Sequence, residues 1–231
     1  MNSNWIDIRA AHGDTFSAHL ALPPLGRGPG IVLVQEIWGV NAHIRAVAQQ
    51  YALAGYVVLA PDIFWRIEPH IELNYDQAGS ARAFELYGQV DTALAAADVA
   101  ATIAHLHAMP ELDGKVATLG FCLGGQLAYR GGAEGGADAI VSYYGGGIAE
   151  HLDIAASIAQ PALFHHGSRD AHITPEQVAA IKAAFAGKSN AQFFDYAEGE
   201  HGFNCWGRPA YRQREAALAQ GRTLQFLAQH L

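Results

Sequence analysis

Basic residues are scarce in this chain of 231 residues: 14 Lys and Arg stand against 22 Asp and Glu. The formal net charge is −8 with His neutral, and no cluster of Lys or Arg rises out of that balance. Nucleic acid and anionic membrane surfaces are therefore not expected as partners. No apolar stretch approaches the ~20 residues that span a bilayer. The opening residues Met1 to Asp7 lack the basic region and apolar run of a secretory signal, so a cytoplasmic setting is expected. Cysteine is rare as well. Cys122 and Cys205 are the two present. They could pair, but a reduced intracellular protein is the better expectation, because Cys122 lies in a motif that needs a free thiol. Neither His-Glu-x-x-His nor a paired Cys-x-x-Cys occurs, so no metal and no cofactor is expected. Gly145-Gly146-Gly147 does not make a dinucleotide fingerprint. Charged residues make up 16% of the chain and hydrophobic ones 51%, which excludes a disordered chain and fits a compact enzyme. The length suits one domain, residues 1–231, rather than two.

What is present is organised around Gly120-Phe121-Cys122-Leu123-Gly124-Gly125. Before it, Lys115 to Leu119 is apolar and β-branched and reads as a buried strand. After it, Gln126 to Arg130 reads as a helix. Gly-x-Cys-x-Gly between a strand and a helix is the pattern of a nucleophile elbow, with cysteine in place of serine. The glycines are expected because the turn crowds the backbone and forces unusual dihedrals.

The rest of the chain alternates in the same way. Trp5 to Arg9 and Thr15 to Leu22 read as an antiparallel hairpin at a sheet edge. Ile31 to Val34 and Tyr56 to Ala60 read as buried strands. A helix from Asn41 to Ala54 lies between them, capped by Asn41 and stopped by Gly55. Residues 63–79 lack periodicity and predict a long surface excursion. Residues 81–106 predict a long helix that Gly88 breaks or bends. Its core stripe is expected at Val90, Leu94, Ala97, Ala101 and Ala104. Ala139 to Tyr144, Ala162 to His165 and Ala191 to Tyr196 are further strands. Thr174-Pro175-Glu176 opens a helix, and residues 212–230 form an amphipathic C-terminal one. Alternating strands and helices predict an α/β fold, a mostly parallel central sheet with helices on both faces.

Three residue types at strand ends can carry chemistry: Cys122, Asp170 and His201, in that order. Ligand crevices of open α/β sheets lie at the carboxyl ends of strands. Nucleophile, acid, histidine is the chain order of the α/β-hydrolases. Cys122 would attack a carbonyl as a thiolate. His201 would accept and return a proton. Asp170 would fix the imidazole tautomer. The N–H groups of Leu123 and Ile37 are the expected oxyanion donors. Rival readings exist for each. A cysteine in an apolar segment is commonly a core residue. Asp153 and Asp195 compete with Asp170 but follow strand ends less cleanly. His165, His166 and His172 read as packing or pocket-wall residues.

Gln35 to Asn41, Gly120 to Gly125, Tyr143-Tyr144-Gly145 and Gly199 to Phe203 together resemble the dienelactone hydrolase (carboxymethylenebutenolidase) family over nearly the whole chain. The resemblance implies an α/β-hydrolase fold. It implies a cytosolic enzyme that opens an enol lactone in the catabolism of catechol-type aromatics. It makes Cys122, His201 and Asp170 a triad acting through a thioester, and Glu36 a fourth active-site residue that holds the resting thiol and yields it to substrate. It places Trp38 and Tyr143 at the substrate. It also implies arginines for the substrate carboxylate, for which Arg82 and Arg208 are the candidates. The expected ligand is a small lactone or ester, anionic in character. A general carboxylesterase and a non-catalytic binder of small acids are the alternatives. Nothing in the sequence sets the oligomeric state.

Overall fold

The computed structural model describes residues 3–231. Eight strands form one sheet in the order β1-β2-β4-β3-β5-β6-β7-β8. β1 (Ser3–Arg9) and β2 (Thr15–Ala21) form the expected edge hairpin, and β2 pairs antiparallel with β4 (Val57–Pro61). From β4 onward every pairing is parallel, through β3 (Gly28–Val34), β5 (Leu112–Phe121), β6 (Ala139–Tyr143), β7 (Ala162–Gly167) and β8 (Ala191–Tyr196). Ile31 to Val34 of β3 and Val57 to Ala60 of β4 are continuous apolar runs because both of their faces are covered.

Alternate residues of each strand feed opposite faces. Ile31 and Leu33 of β3 join one core, and Val32 and Val34 join the other. On the first face lie α1 (Ala42–Leu53) and α6 (Gln213–His230), contributing Ile44, Val47, Phe226 and Leu227. On the second lie α2 (Gln77–Tyr87), α3 (Thr92–Ala108) and α4 (Leu123–Glu134), contributing Leu86, Val99, Ile103 and Leu127. Each such side chain contributes about 1.5–3 kcal/mol by leaving water. α5 (Pro175–Ala184) adds Ile181 to a smaller cluster with Tyr129, Phe164 and Phe185. Asn41 caps α1, its side chain accepting from Ile44 N–H at 3.2 Å. Thr174 and Gln177 form a capping box on α5. Among the described residues, no helix is long and apolar enough to cross a membrane.

The stretch 81–106 departs from the expectation of one long helix. α2 begins earlier, capped by Asp76, and ends at Gly88. Asp91 then caps α3, accepting from the N–H groups of Ala93 and Leu94. A cap side chain inside a periodic run competes for the backbone and starts a new helix there. The core stripe of α3 is also displaced. Ala104 is exposed, while Ala95, Val99, Ile103 and Leu106 are buried together with Asp98 and Thr102. Those two polar residues disguised the buried face. Asp98 is tolerated there because Trp65 donates to it at 2.9 Å and Arg66 pairs with it.

Candidate active site

Cys122 sits between β5 and α4 with φ +57°. A side chain in this left-handed region costs about 1–3 kcal/mol, a strain typical of functional turns. The flanking glycines serve close approach rather than unusual dihedrals. A Cβ on Gly120 would lie 1.9 Å from the Gly124 carbonyl oxygen, and one on Gly124 would lie 2.3 Å from that of Val34. The Cys122 N–H donates to the Tyr143 carbonyl at 3.0 Å. That bond ties the elbow to β6.

Asp170 and His201 arrive on the loops after β7 and β8. Both side chains are buried. The imidazole Nδ1 of His201 donates to Asp170 Oδ2 at 2.8 Å. Asp170 Oδ1 accepts from the N–H groups of His172 and Ile173 at 2.8 and 3.0 Å. Burial alone would raise the Asp170 carboxyl. The hydrogen bond and charge of His201, and the two backbone donors, hold it below the ordinary carboxylate value. With Nδ1 committed to Asp170, the imidazole is left with Nε2, and His201 and Cys122 line the same cavity. Burial pushes the His201 imidazole down, but the Cys122 sulfur and Asp170 outweigh it and lift it to about 10. Tyr144 packs edge-on against His201 with ring centroids 5.2 Å apart.

A cavity of about 310 Å³ opens over this group. Ile37, Trp38, Cys122, Leu123, His201 and Arg208 line one part of it. Leu123 is the first residue of α4, so its N–H has no intrahelical acceptor and is free to serve an oxyanion.

Glu36 is 1% exposed and does not itself line the cavity. Its carboxylate accepts from Arg208 Nη1 at 3.1 Å and from the Tyr75 hydroxyl at 3.4 Å. Among the described residues, no hydrogen bond joins it to Cys122. Arg208 lies 4.7 Å over the Trp38 ring. Gly202, at φ +88°, makes this possible, since a Cβ there would meet Arg208 Nη1 at 2.1 Å. Burial pulls the guanidinium down, but Glu36 together with Tyr144, Cys122 and Cys205 outweighs it and the net direction is up.

Two expected substrate residues lie elsewhere. Arg82 is on the outer side of α2, paired with Glu68 at 2.6 Å and Glu85 at 2.7 Å, and does not line the cavity. Two adjacent carboxylates outside the site claim it. Tyr143 is fully buried in β6, its hydroxyl 2.6 Å from Thr223 Oγ1, and it does not line the cavity either. Tyr144 takes the place beside the triad instead. At φ +37° it leaves the strand and turns toward His201. His172 forms a pocket wall, with its ring centroid 4.8 Å from that of His201, whereas His165 and His166 are core residues. The remaining lining includes Phe84, Tyr87, Thr92, Gln126 and His151, which no motif announced. Only the topology that folds α2 and α3 over α4 brings them in.

Both cysteines are free. Cys205 is buried near Glu36, and burial together with the Glu36 charge pushes its thiol up to about 12. Glu36, His43 and Cys205 bring three donor atoms within 4.8 Å of one another. The spacing of these residues along the chain gave no sign of this grouping. The Glu36 member of the group is already bound to Arg208 and Tyr75.

The model of the Dienelactone hydrolase family matches residues 16–231. A carboxymethylenebutenolidase from a Pseudomonas species is 37% identical, covering 98% of this chain and 95% of its own length. Carboxymethylenebutenolidase 1 of Cupriavidus pinatubonensis is 32% identical over 99% of this chain and 97% of its own. A solved dienelactone hydrolase-like promiscuous phosphotriesterase from metagenomic libraries superposes with a TM-score of 0.82 at 25% identity. That match covers 99% of this chain and 98% of the other.

Proposed function

Because the chain belongs to the dienelactone hydrolase family, we propose that it opens an enol lactone bearing a carboxylate, through a Cys122–His201–Asp170 triad and a thioester. An ester or lactone hydrolase is what the family makes it, and the non-catalytic reading falls away. The observation that supports the mechanism is the Asp170–His201 hydrogen bond, with His201 and the elbow residue Cys122 lining one cavity that Arg208 also lines.

The Cys122 thiolate attacks the acyl carbon. The carbonyl electron pair moves to oxygen, and the N–H groups of Ile37 and Leu123 hold that oxyanion. Collapse breaks the carbon–oxygen bond, and the enolate leaves, taking a proton from His201. A water then gives its proton to His201 and adds to the thioester. The second collapse releases the acid and returns the thiolate. Asp170 keeps the imidazole in the tautomer that each step needs. A substrate carboxylate arriving at Arg208 competes with Glu36 for the guanidinium. Trp38 supports that guanidinium from its far face. We place the reaction in a reducing cytoplasm, where Cys122 stays a thiol, and assign it to the breakdown of catechol-type aromatics.

One observation favours a broader ester hydrolase as the second reading. Arg82 is absent from the cavity, and Phe84 and Tyr87 line it, which suits neutral aryl esters. Comparing an anionic dienelactone with 4-nitrophenyl acetate separates the two readings. Cys122→Ala is expected to abolish both activities while circular dichroism stays native. Wild type is expected to carry a transient acyl mass on Cys122. Full turnover by Cys122→Ala would sink the mechanism.

A further inference from the structure

Arg130 is buried without a carboxylate partner, and although it is not itself a lining residue of the cavity, both of its side-chain partners are. It lies on α4, eight residues past Cys122, and is 8% exposed. Its Nη1 donates to Thr92 Oγ1 at 2.8 Å and to His151 Nε2 at 3.3 Å. Its Nε is buried with no acceptor. Among the described residues, no Asp or Glu forms an ion pair with it. The contrast within the molecule is sharp. Arg66 is matched by Asp98, and Arg208 by Glu36.

A guanidinium cannot shed its charge, and an uncompensated buried charge costs several kcal/mol. Neither Thr92 nor His151 offers Arg130 a carboxylate, and because a guanidinium has only donors, the Nε2 of His151 is the acceptor in their contact. Both partners line the cavity that holds Cys122. Positions 122, 126 and 130 share one face of α4, and Gln126 lines the cavity between the other two. Eight residues span about 12 Å of helix axis. Helical side chains lean toward the N-terminus, which carries the Arg130 guanidinium back toward the thiol. The exposed Glu150 also lines the cavity.

We propose that the Thr92–Arg130–His151 end of the cavity is an anion subsite. It takes a carboxylate that the substrate carries several atoms away from the scissile carbonyl. The inference rests on the reading that this cavity is the active site. It adds that the preferred substrates are elongated and carry a remote carboxylate, with Arg208 serving the near end and Arg130 the far end.

The test is competitive inhibition of 4-nitrophenyl acetate hydrolysis by succinate, adipate, suberate and octanoate. Wild type is expected to bind suberate about 10- to 100-fold more tightly than octanoate, as a charge-assisted contact allows. Succinate, too short to reach both arginines, is expected to gain less. Arg130→Gln is expected to erase the preference for suberate over octanoate and leave octanoate unchanged. Arg130→Lys is expected to restore part of it. Equal inhibition of wild type by suberate and octanoate overturns the proposal, whatever the folding of the variants. So does a suberate preference that Arg130→Gln retains. Failure of wild type to hydrolyse 4-nitrophenyl acetate through Cys122 would instead overturn the active-site reading.

Discussion

Arg208→Met breaks a buried ion pair, that of Glu36 with a cation that lines the cavity. Glu36 is 1% exposed, and the Arg208 side chain is 16% exposed. Removing the cation leaves the carboxylate buried with only the 3.4 Å contact from the Tyr75 hydroxyl. Breaking a buried pair from one side costs about 3–5 kcal/mol. The retained tyrosine contact argues for the lower end, about 3 kcal/mol. For a chain of this size each kcal/mol lowers the melting temperature by about 2–4 °C, so a drop of about 6–12 °C is expected. Methionine keeps most of the arginine volume, so little of the loss is cavity. Thermal unfolding in about 0.15 M salt is the assay, because a pair this buried is poorly screened. The decisive control is Glu36→Gln in the same background. It removes the stranded charge and is expected to recover most of the loss. A melting temperature within about 2 °C of wild type for Arg208→Met, or no recovery in the double variant, would refute the pairing argument.

The other predictions rest on the hydrogen bonds of Asp170 and Tyr143 and on the unpartnered hydroxyl of Tyr144. Asp170→Asn removes both the hydrogen bond and the charge that help lift His201 to about 10, so the imidazolium is expected to deprotonate at lower pH. The alkaline limb of the pH–rate profile should move down, and kcat should fall about 10²- to 10⁴-fold. In wild type the raised imidazole stabilises the fold fully below its ordinary value of 6.5 and loses that contribution as pH rises through about 10. Melting temperatures across that window should show the decline, and Asp170→Asn should flatten it. Tyr143→Phe deletes the 2.6 Å contact with Thr223 and is expected to cost about 1 kcal/mol with kcat/KM unchanged. Tyr144→Phe deletes a buried hydroxyl that has no partner, and chemical denaturation is expected to show no loss of stability. The opposite ranking of these two variants would reverse the assignment of which tyrosine flanks the site.

Strand positions were legible because parallel strands buried on both faces announce themselves as unbroken apolar runs, as in Ile31 to Val34 and Ala139 to Tyr143. The triad was legible for a related reason. Strand ends converge on one edge of a parallel sheet, so three chemically apt residues after three strands must meet. Side-chain facing was not legible in the same way. Tyr143 and Tyr144 differ by one position, which reverses the face, and the positive φ of Tyr144 cannot be read from a tyrosine. Arg82 depended on which side of α2 looked outward, and the acids that capture it are at Glu68 and Glu85. Arg208 and Glu36 are 172 positions apart, and no local pattern couples them.

Arg130 shows most plainly why such residues escape a linear reading. Along the chain it is an ordinary charged residue in the second half of a helix. Its burial comes from α3, which brings Thr92, and from the loop after β6, which brings His151. Among the described residues, no acid of either segment forms an ion pair with it, although Glu150 stands next to His151 in the chain. Local rules call for arginine on a solvated face or beside a carboxylate, and this position satisfies neither. Where a sequence breaks such a rule inside the cavity of an enzyme, the compensating group is to be sought in the substrate.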